Sequence, residues 1–286
     1  MDPYVSCELT GGLGNQFFQI MTTIAYAIRY NRRVVFPFED ILYNRTTNRP
    51  TYWNSLFGGI KDTTVYNKEH GFTNDDLIKF PYYCYEASLY KEIPLFPKTN
   101  FMLIGYFQSY KYFEKEANQI LERMNIDIHQ STVLNEFSEL LTGHAVSMHF
   151  RLGDYLALPN YHPIMPAKYY ENALTYILSK RRKPLKVIYF CEPADTDTVN
   201  KTLDTLRHLD VTFIKAPDAI PDWKQLLLMS LCIDNIIANS TFSWWGAYLN
   251  RAADSIKCYP SLWFGPALPK DVHDLFPDSW VKINVA

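Results

Sequence analysis

Long apolar runs are absent from this 286-residue chain: no stretch approaches the roughly 18 consecutive apolar residues that a membrane-spanning helix needs. The first nine residues have neither the basic start nor the apolar run of a secretory signal. An excess of charge of one sign is also lacking, because the formal net charge is only −2. The sequence therefore predicts a cytoplasmic protein with no membrane span and no general attraction to nucleic acid.

Cysteine is scarce, and its five positions form no CxxC pair and no Cys/His cluster. An odd number of widely spaced cysteines argues against a disulfide framework and against a zinc site. Hydrophobic residues make up 48% of the chain, which is long enough for two globular domains. With no strong overall charge, a phosphate-bearing ligand needs a local binding site.

Strands and helices are predicted to alternate in both halves of the chain, which is typical of doubly wound α/β folds. A strand, a glycine loop and a helix open the first half, and residues 37–100 are irregular. We place the boundary near residue 142 and predict two Rossmann-like domains, 1–142 and 143–286, which face a cleft. Ligands are expected at the carboxyl ends of the strands. Predicted strands lie at 5–9, 34–36, 101–107, 145–150, 187–191, 211–214, 235–238 and 255–259.

The glycine loop reads GGLGNQ and joins the first strand to the first helix. Gly12 and Gly14 would let the backbone approach a ligand closely, and the helix N-terminus would offer free N–H groups. Asn15 and Gln16 add neutral groups that suit sugar hydroxyls. The spacing matches neither GxGxxG nor a Walker loop with its lysine. A tight turn that simply requires glycines is the alternative interpretation.

A second motif, HFRLGDY, leaves the end of a predicted buried strand. Arg151 could bind a diphosphate through its fork of N–H donors and stabilise the negative charge that grows as a glycosyl–phosphate bond breaks. Asp154 could orient Arg151 or act as a base. The alternatives are a surface ion pair for these two residues and a core position for His149.

A third motif, NSTFSWWGAYL, follows a predicted strand and opens a helix. Its Asn, Ser and Thr side chains could hold a phosphate together with the N–H groups of the first helical turn. Plain N-capping by Ser240, Thr241 or Ser243 is the alternative, and the two roles are compatible. Trp244 and Trp245 are expected to pack the helix against the sheet.

The three motifs together resemble the α-1,2-fucosyltransferases of glycosyltransferase family 11, and the resemblance spans the chain from end to end. It implies a GT-B fold, GDP-β-L-fucose as the donor substrate, no metal, no cofactor and inversion at the anomeric carbon. By resemblance, Arg151 would hold the β-phosphate and Asn15 would face the donor sugar. The predicted catalytic residues are Arg151, Asp154 and His149. The predicted donor contacts are Gly12, Gly14, Asn15, Gln16, Glu192, Asn239, Ser240, Thr241, Phe242 and Ser243.

Two positions depart from the family pattern. The second arginine of the family motif is Leu152 here, so any role of that charge is absent. The family's acidic pair after the next strand is replaced by a segment that contains Glu192 and Asp195. These two acids could meet the nucleotide, or they could simply stabilise a helix N-terminus before Thr196.

The predicted reaction is an inverting transfer of L-fucose to the 2-hydroxyl of a terminal, galactose-type glycan. Asp154 is the candidate base, with His162 behind it. The acceptor is expected to pass an aromatic-rich region around Tyr43, Trp53 and Tyr82. A transferase with another sugar nucleotide or acceptor, and an inactive glycan-binding module, remain alternatives. The missing GxGxxG motif counts against a dehydrogenase.

Overall fold

The computed structural model describes residues 3–43, 48–84, 89–96, 99–181 and 185–286. The chain divides into two compact units. The first runs to His129 and takes in Asp271–Pro277, and the second consists of Gln130–Lys270 and Asp278–Ala286. Within the described ranges, no helix combines the length and the apolar character that crossing a membrane requires.

The elements of the first unit are β1 (Tyr4–Cys7), α1 (Leu13–Arg29), β2 (Arg33–Val34), β3 (Ile41–Leu42), β4 (Arg49–Pro50), α2 (Asn74–Leu77), β5 (Tyr82–Cys84), β6 (Phe101–Ile104) and α3 (Ala117–Arg123). Four of the strands form a parallel sheet with the order β2-β1-β6-β5. A separate antiparallel pair is formed by β3 and β4. The longest of these helices, α1, is buried along nearly its whole length, as the apolar spacing of the sequence predicts.

The second unit begins inside helix α4 (Ile126–Glu136). Its other elements are β7 (His144–His149), α5 (Ala167–Lys180), β8 (Leu185–Phe190), α6 (Thr196–Thr205), β9 (Val211–Lys215), α7 (Asp222–Ser230), β10 (Asp234–Ile236), α8 (Thr241–Tyr248), β11 (Lys257–Pro260) and β12 (Val281–Ile283). The six strands form one sheet in the order β12-β11-β10-β7-β8-β9, parallel throughout. Counted from β7 as the first strand, this is the 3-2-1-4-5-6 order of a doubly wound Rossmann fold.

The core of the second unit explains why its central strands read as apolar runs. Both faces of a parallel sheet are covered by helices, so β7 and β8 are buried along almost their whole lengths. Helices α7 and α8 pack closely at Gly246, where an added Cβ atom would lie only 2.9 Å from the Cβ of Met229. Trp244 and Trp245 are fully buried in α8, which confirms their predicted packing role.

The limits of the units differ from the predicted boundary at residue 142. Residues 130–142 belong to the second unit, where Gln130 donates hydrogen bonds to Ser230 Oγ (2.8 Å) and to the Leu249 carbonyl (3.2 Å). The segment Asp271–Pro277 belongs to the first unit, where the Asp274 side chain accepts a hydrogen bond from the Tyr90 N–H (3.0 Å). Such long-range contacts leave no periodic trace in the sequence.

Trp53, one of the three aromatic residues named for the expected path of the acceptor, is buried. Its indole is only 1% exposed, because it packs against Phe36 and Phe57 in the core of the first unit. Tyr43 and Tyr82, by contrast, are 75% and 70% exposed.

Candidate functional site

The switch point of the second sheet lies between β7 and β10. The chain leaves β7 toward β8 on one side, and β10 pairs with β7 on the other. Loops after these strands therefore diverge at this edge and leave room for a ligand there. The second motif follows β7, Glu192 follows β8, and the third motif follows β10. Parallel pairing thus brings together three segments whose mutual contacts join residues 41 and 94 positions apart in the sequence.

Arg151 lies at the centre of this edge. Its Nη1 donates to Glu192 Oε1 and its Nη2 to Asp154 Oδ1, and both donor–acceptor distances are 2.5 Å. The guanidinium carbon also lies 5.1 Å from the centre of the Tyr155 ring, within cation–π range. The Arg151 side chain is 20% exposed, and the two carboxylates are about half exposed. These two bonds use two of the five N–H donors of the guanidinium, so a diphosphate could bind the remaining donors.

Gly153 lets the loop after β7 approach Glu192 closely. Its φ of +42° lies in the left-handed region, and an added Cβ would stand 3.2 Å from Glu192 Oε2. The Gly153 N–H donates to Asp195 Oδ2 over 3.0 Å, and Asp195 is buried. Asp195 therefore links the loop after β8 to the loop after β7 by a hydrogen bond. This role differs from both roles considered from the sequence, contact with the nucleotide and stabilisation of a helix N-terminus.

The third motif caps helix α8. Ser240 is the N-cap residue, and its Oγ accepts a hydrogen bond from the Phe242 N–H over 3.3 Å. The capping interpretation is therefore correct for Ser240. Thr241 and Phe242 are partly exposed in the first turn, whereas Ser243 is fully buried. The first turn of α8 directs N–H groups and its positive dipole end toward the switch point, which suits an anion.

His149 connects the second motif to the third. Its Nδ1 lies 2.9 Å from Ser243 Oγ, and its ring packs against Phe242 with the centres 5.6 Å apart. Burial and the nearby positive charge of Arg151 lower the pKa of His149 from 6.5 to about 3. The imidazole is therefore neutral at physiological pH, so it can hold Ser243 in place but supplies no positive charge.

Tyr155 and Asn239 also link the second motif, after β7, to the third motif, after β10. Tyr155 Oη donates to the Asn239 carbonyl over 3.2 Å. The Asn239 amide nitrogen donates to the carbonyls of Pro163 (2.8 Å) and Trp263 (3.1 Å). Asn239 is buried, so its side chain organises the site from within and its predicted donor contact stays a prediction.

Leu152 occupies the position of the family's second arginine and points into the protein. It is only 6% exposed and belongs to the hydrophobic core that includes Phe150 and Met165. A charged side chain in this core would be costly without a partner. The chain therefore presents one guanidinium at this point of the motif.

The glycine loop lies in the first unit, at the start of α1. Gly11 has a φ of +79°, which favours glycine, and Gly12 is the N-cap residue. Gln16 is fully buried, and its amide nitrogen donates to the carbonyls of Gly11 (3.0 Å) and Pro50 (2.9 Å). Gln16 thus stabilises the loop from inside.

Asn15 is partly exposed, and its Oδ1 accepts a hydrogen bond from Gln108 Nε2 over 3.0 Å. Gly14 is buried within the first turn of α1. The predicted donor contacts of Gly12, Gly14, Asn15 and Gln16 stay predictions.

The described residues include no group of three or more His, Cys, Asp or Glu side chains arranged to hold a metal ion. At the switch point of the second unit, Arg151 and the N-terminus of α8 offer positive charge to a ligand. Both lie where a doubly wound sheet binds phosphate groups.

The fold is of the GT-B type. The chain belongs to Glycosyl transferase family 11, whose sequence profile matches residues 4–284. The chain is 26% identical to the O-antigen biosynthesis glycosyltransferase WbnK of Escherichia coli, over 97% of this chain and 99% of that protein. It is 27% identical to an alpha-1,2-colitosyltransferase of Escherichia coli, over 98% and 99% of the two chains.

A crystal structure of POFUT1 in complex with GDP-fucose has the same fold. It superposes with a TM-score of 0.51 at 13% identity, over 90% of this chain and 98% of that one. The family and the GT-B type fold predicted from the sequence are therefore confirmed.

Proposed function

We propose that the protein transfers L-fucose from GDP-β-L-fucose to the 2-hydroxyl of a terminal galactose-type residue, with inversion to an α-1,2 linkage. The observation that supports this most strongly is the position of Arg151 at the switch point, in a segment that His149 joins to the first turn of α8 through Ser243. This arrangement suits the diphosphate of a nucleotide sugar. The family and the bound nucleotide of the POFUT1 complex favour GDP-fucose.

The reaction needs stabilisation of the leaving group. When the bond between the anomeric carbon and the β-phosphate oxygen breaks, its electron pair stays on GDP, and negative charge grows on the diphosphate. Arg151 and the first-turn N–H groups of α8 are already positioned for this charge, so little reorganisation is required. The acceptor hydroxyl attacks the opposite face of the sugar, which inverts the anomeric centre. We expect the reaction to need no added metal.

Transfer of colitose is the second candidate, because one relative that covers nearly the whole chain is named an alpha-1,2-colitosyltransferase. The donor test uses GDP-fucose, GDP-colitose and several UDP-sugars, with and without galactosides, in the presence of EDTA. We expect GDP release that depends on a galactoside and is fastest with GDP-fucose. NMR of the product gives the linkage. Strong activity with a UDP-sugar alone would overturn the proposed donor.

Arg151→Ala is expected to lower kcat/KM by about 10²–10³-fold, the usual effect of removing one group that stabilises developing negative charge. Arg207→Ala is the matched control, because Arg207 forms an exposed ion pair with Asp204 on the same unit. Near-normal transfer by Arg151→Ala would show that the assigned phosphate role is wrong.

A further inference from the structure

His162 is a half-buried imidazole beside the second motif. Its ring stacks on Tyr155 at an interplanar angle of 19°, with the centres 4.6 Å apart, and the centre of the Phe264 ring lies 6.0 Å away. Tyr155 in turn lies under the guanidinium of Arg151. Among the residues that the structure describes, neither ring nitrogen of His162 has a hydrogen-bond partner. The ring is thus held by stacking while its nitrogens stay available.

The backbone on both sides of His162 is fixed. The Tyr161 carbonyl accepts a hydrogen bond from the Gly265 N–H over 2.9 Å. The Pro163 carbonyl accepts one from Asn239 Nδ2, which belongs to the third motif. The position of His162 is therefore tied to the segment that opens α8. Such support is what a group needs if it is to act on a substrate with accurate geometry.

Asp154, the other candidate base, is engaged elsewhere. Its Oδ1 accepts a hydrogen bond from Arg151 Nη2, so it serves the group that we assign to the leaving diphosphate. A base is needed at the attacking hydroxyl, on the side away from the leaving group. His162 lies eight residues farther along the loop and is not bound to Arg151.

We propose that His162 is the general base that accepts the proton of the attacking acceptor hydroxyl. This inference rests on the proposed function. As the acceptor oxygen bonds to the anomeric carbon, its proton moves to a free ring nitrogen of His162. The electron pair of the broken glycosyl–phosphate bond leaves with GDP, so the step is balanced. The resulting imidazolium then releases the proton to solvent.

The electrostatic surroundings suit this role. The charged groups around His162 are Asp154, which raises its pKa, and Arg151, which lowers it, and burial is the largest influence. The net result is that the pKa of His162 lies below its ordinary value of 6.5. Tyr155, on which the ring stacks, is uncharged at physiological pH, because its own pKa is raised above the ordinary value of 10, mainly by burial. His162 is therefore a neutral base at physiological pH. Transfer should fall on acidification, with its midpoint below pH 6.5, because protonation removes the base.

The test compares His162→Gln, Asp154→Asn and the control His208→Gln in the transfer assay between pH 4.5 and 8.5. His208 is exposed on the same unit and pairs with Glu171. We expect His162→Gln to lower kcat by about 10²-fold and to abolish the acidic limb, while the Kd for GDP changes less than threefold. His162→Ala should recover activity when imidazole is added, which a merely structural residue would not do.

A kcat for His162→Gln within threefold of wild type, with the acidic limb intact, overturns this proposal and leaves the proposed function standing. Loss of the acidic limb in Asp154→Asn alone also overturns it, because the base would then be Asp154. If the wild-type protein transfers no sugar from any donor of the panel, the proposed function fails and the role of His162 fails with it. An unchanged Kd for GDP distinguishes loss of the base from misfolding.

Discussion

Asp234 is predicted to stabilise the second unit without serving the site. It begins β10, at the opposite end of the sheet from the switch point, and its side chain is fully buried. Arg181 Nη2 and Nε donate to its two carboxylate oxygens over 2.7 and 2.9 Å, and His144 Nε2 lies 2.7 Å away. The Ile256 N–H donates to the same carboxylate over 2.7 Å.

The substitution Asp234→Asn leaves Arg181 without its buried partner. Removing one partner of a buried ion pair costs about 3–5 kcal/mol. We expect a loss of about 3 kcal/mol, at the lower end of that range, because Arg181 keeps its second ion pair with the exposed Asp254. With a urea dependence of about 1–3 kcal/mol/M, the unfolding midpoint should fall by roughly 1 M or more.

Acid should reduce this difference. Burial alone would raise the pKa of Asp234, but hydrogen bonds from Arg181, the Ile256 N–H and His144 lower it overall below the ordinary value of 3.8. A carboxyl group with a lowered folded-state pKa stabilises the protein above its unfolded-state pKa and loses that effect as the pH falls. The gap between wild type and Asp234→Asn should therefore shrink below about pH 4.

The loss of unfolding free energy, and its change with pH, can be measured by urea unfolding monitored by circular dichroism, with Asp204→Asn as the control. Asp204 forms an exposed pair with Arg207, so its loss should cost at most about 1 kcal/mol. The Kd for GDP should stay the same in both variants. An Asp234→Asn effect below 1 kcal/mol, or equal to the control, would refute the reasoning.

Two further predictions concern the site. Gly265→Ala would place a Cβ 2.3 Å from the Asn160 carbonyl oxygen, so it should displace the loop that carries His162. We expect kcat to fall at least tenfold with little change in GDP affinity. Gly58→Ala is the control, because its added Cβ would meet nothing nearer than 3.9 Å. Normal kcat in Gly265→Ala would contradict the claimed rigidity of the loop. His149 has a pKa of about 3 when folded and about 6.5 when unfolded, so between these values its stability contribution should fall by about 1.4 kcal/mol per pH unit on acidification. Urea titrations of His149→Gln should lack this slope, and an unchanged slope would show that His149 is protonated in the folded state.

The sequence predicted the second half of the chain well, because its strands are apolar runs separated by amphipathic helices. Arg151, Glu192 and Ser240 could be placed at strand ends for that reason. Their mutual contacts could not be predicted, because they depend on the order of the strands in the sheet. That order is set by the crossover connections, which hydrophobic periodicity does not reveal. The bond between Gly153 and Asp195 and the stacking of His162 on Tyr155 are of this kind.

The first half was harder to predict, because short strands such as β3 and β4 carry little pattern. Trp53 illustrates the difficulty. An aromatic residue in an irregular region could stack on a sugar or fill the core, and only packing against Phe36 and Phe57 decides between them. The last strand, β12, has three residues and was not predicted.

The most direct test of the central claim is calorimetric titration of GDP and GMP into wild type, Arg151→Ala and Arg207→Ala. The claim is that Arg151 and the first turn of α8 bind the diphosphate of the donor. We predict that wild type and Arg207→Ala bind GDP at least tenfold more tightly than GMP, a difference of about 1.4 kcal/mol or more. Arg151→Ala should lose most of this preference. An undiminished preference for GDP in Arg151→Ala would contradict the account.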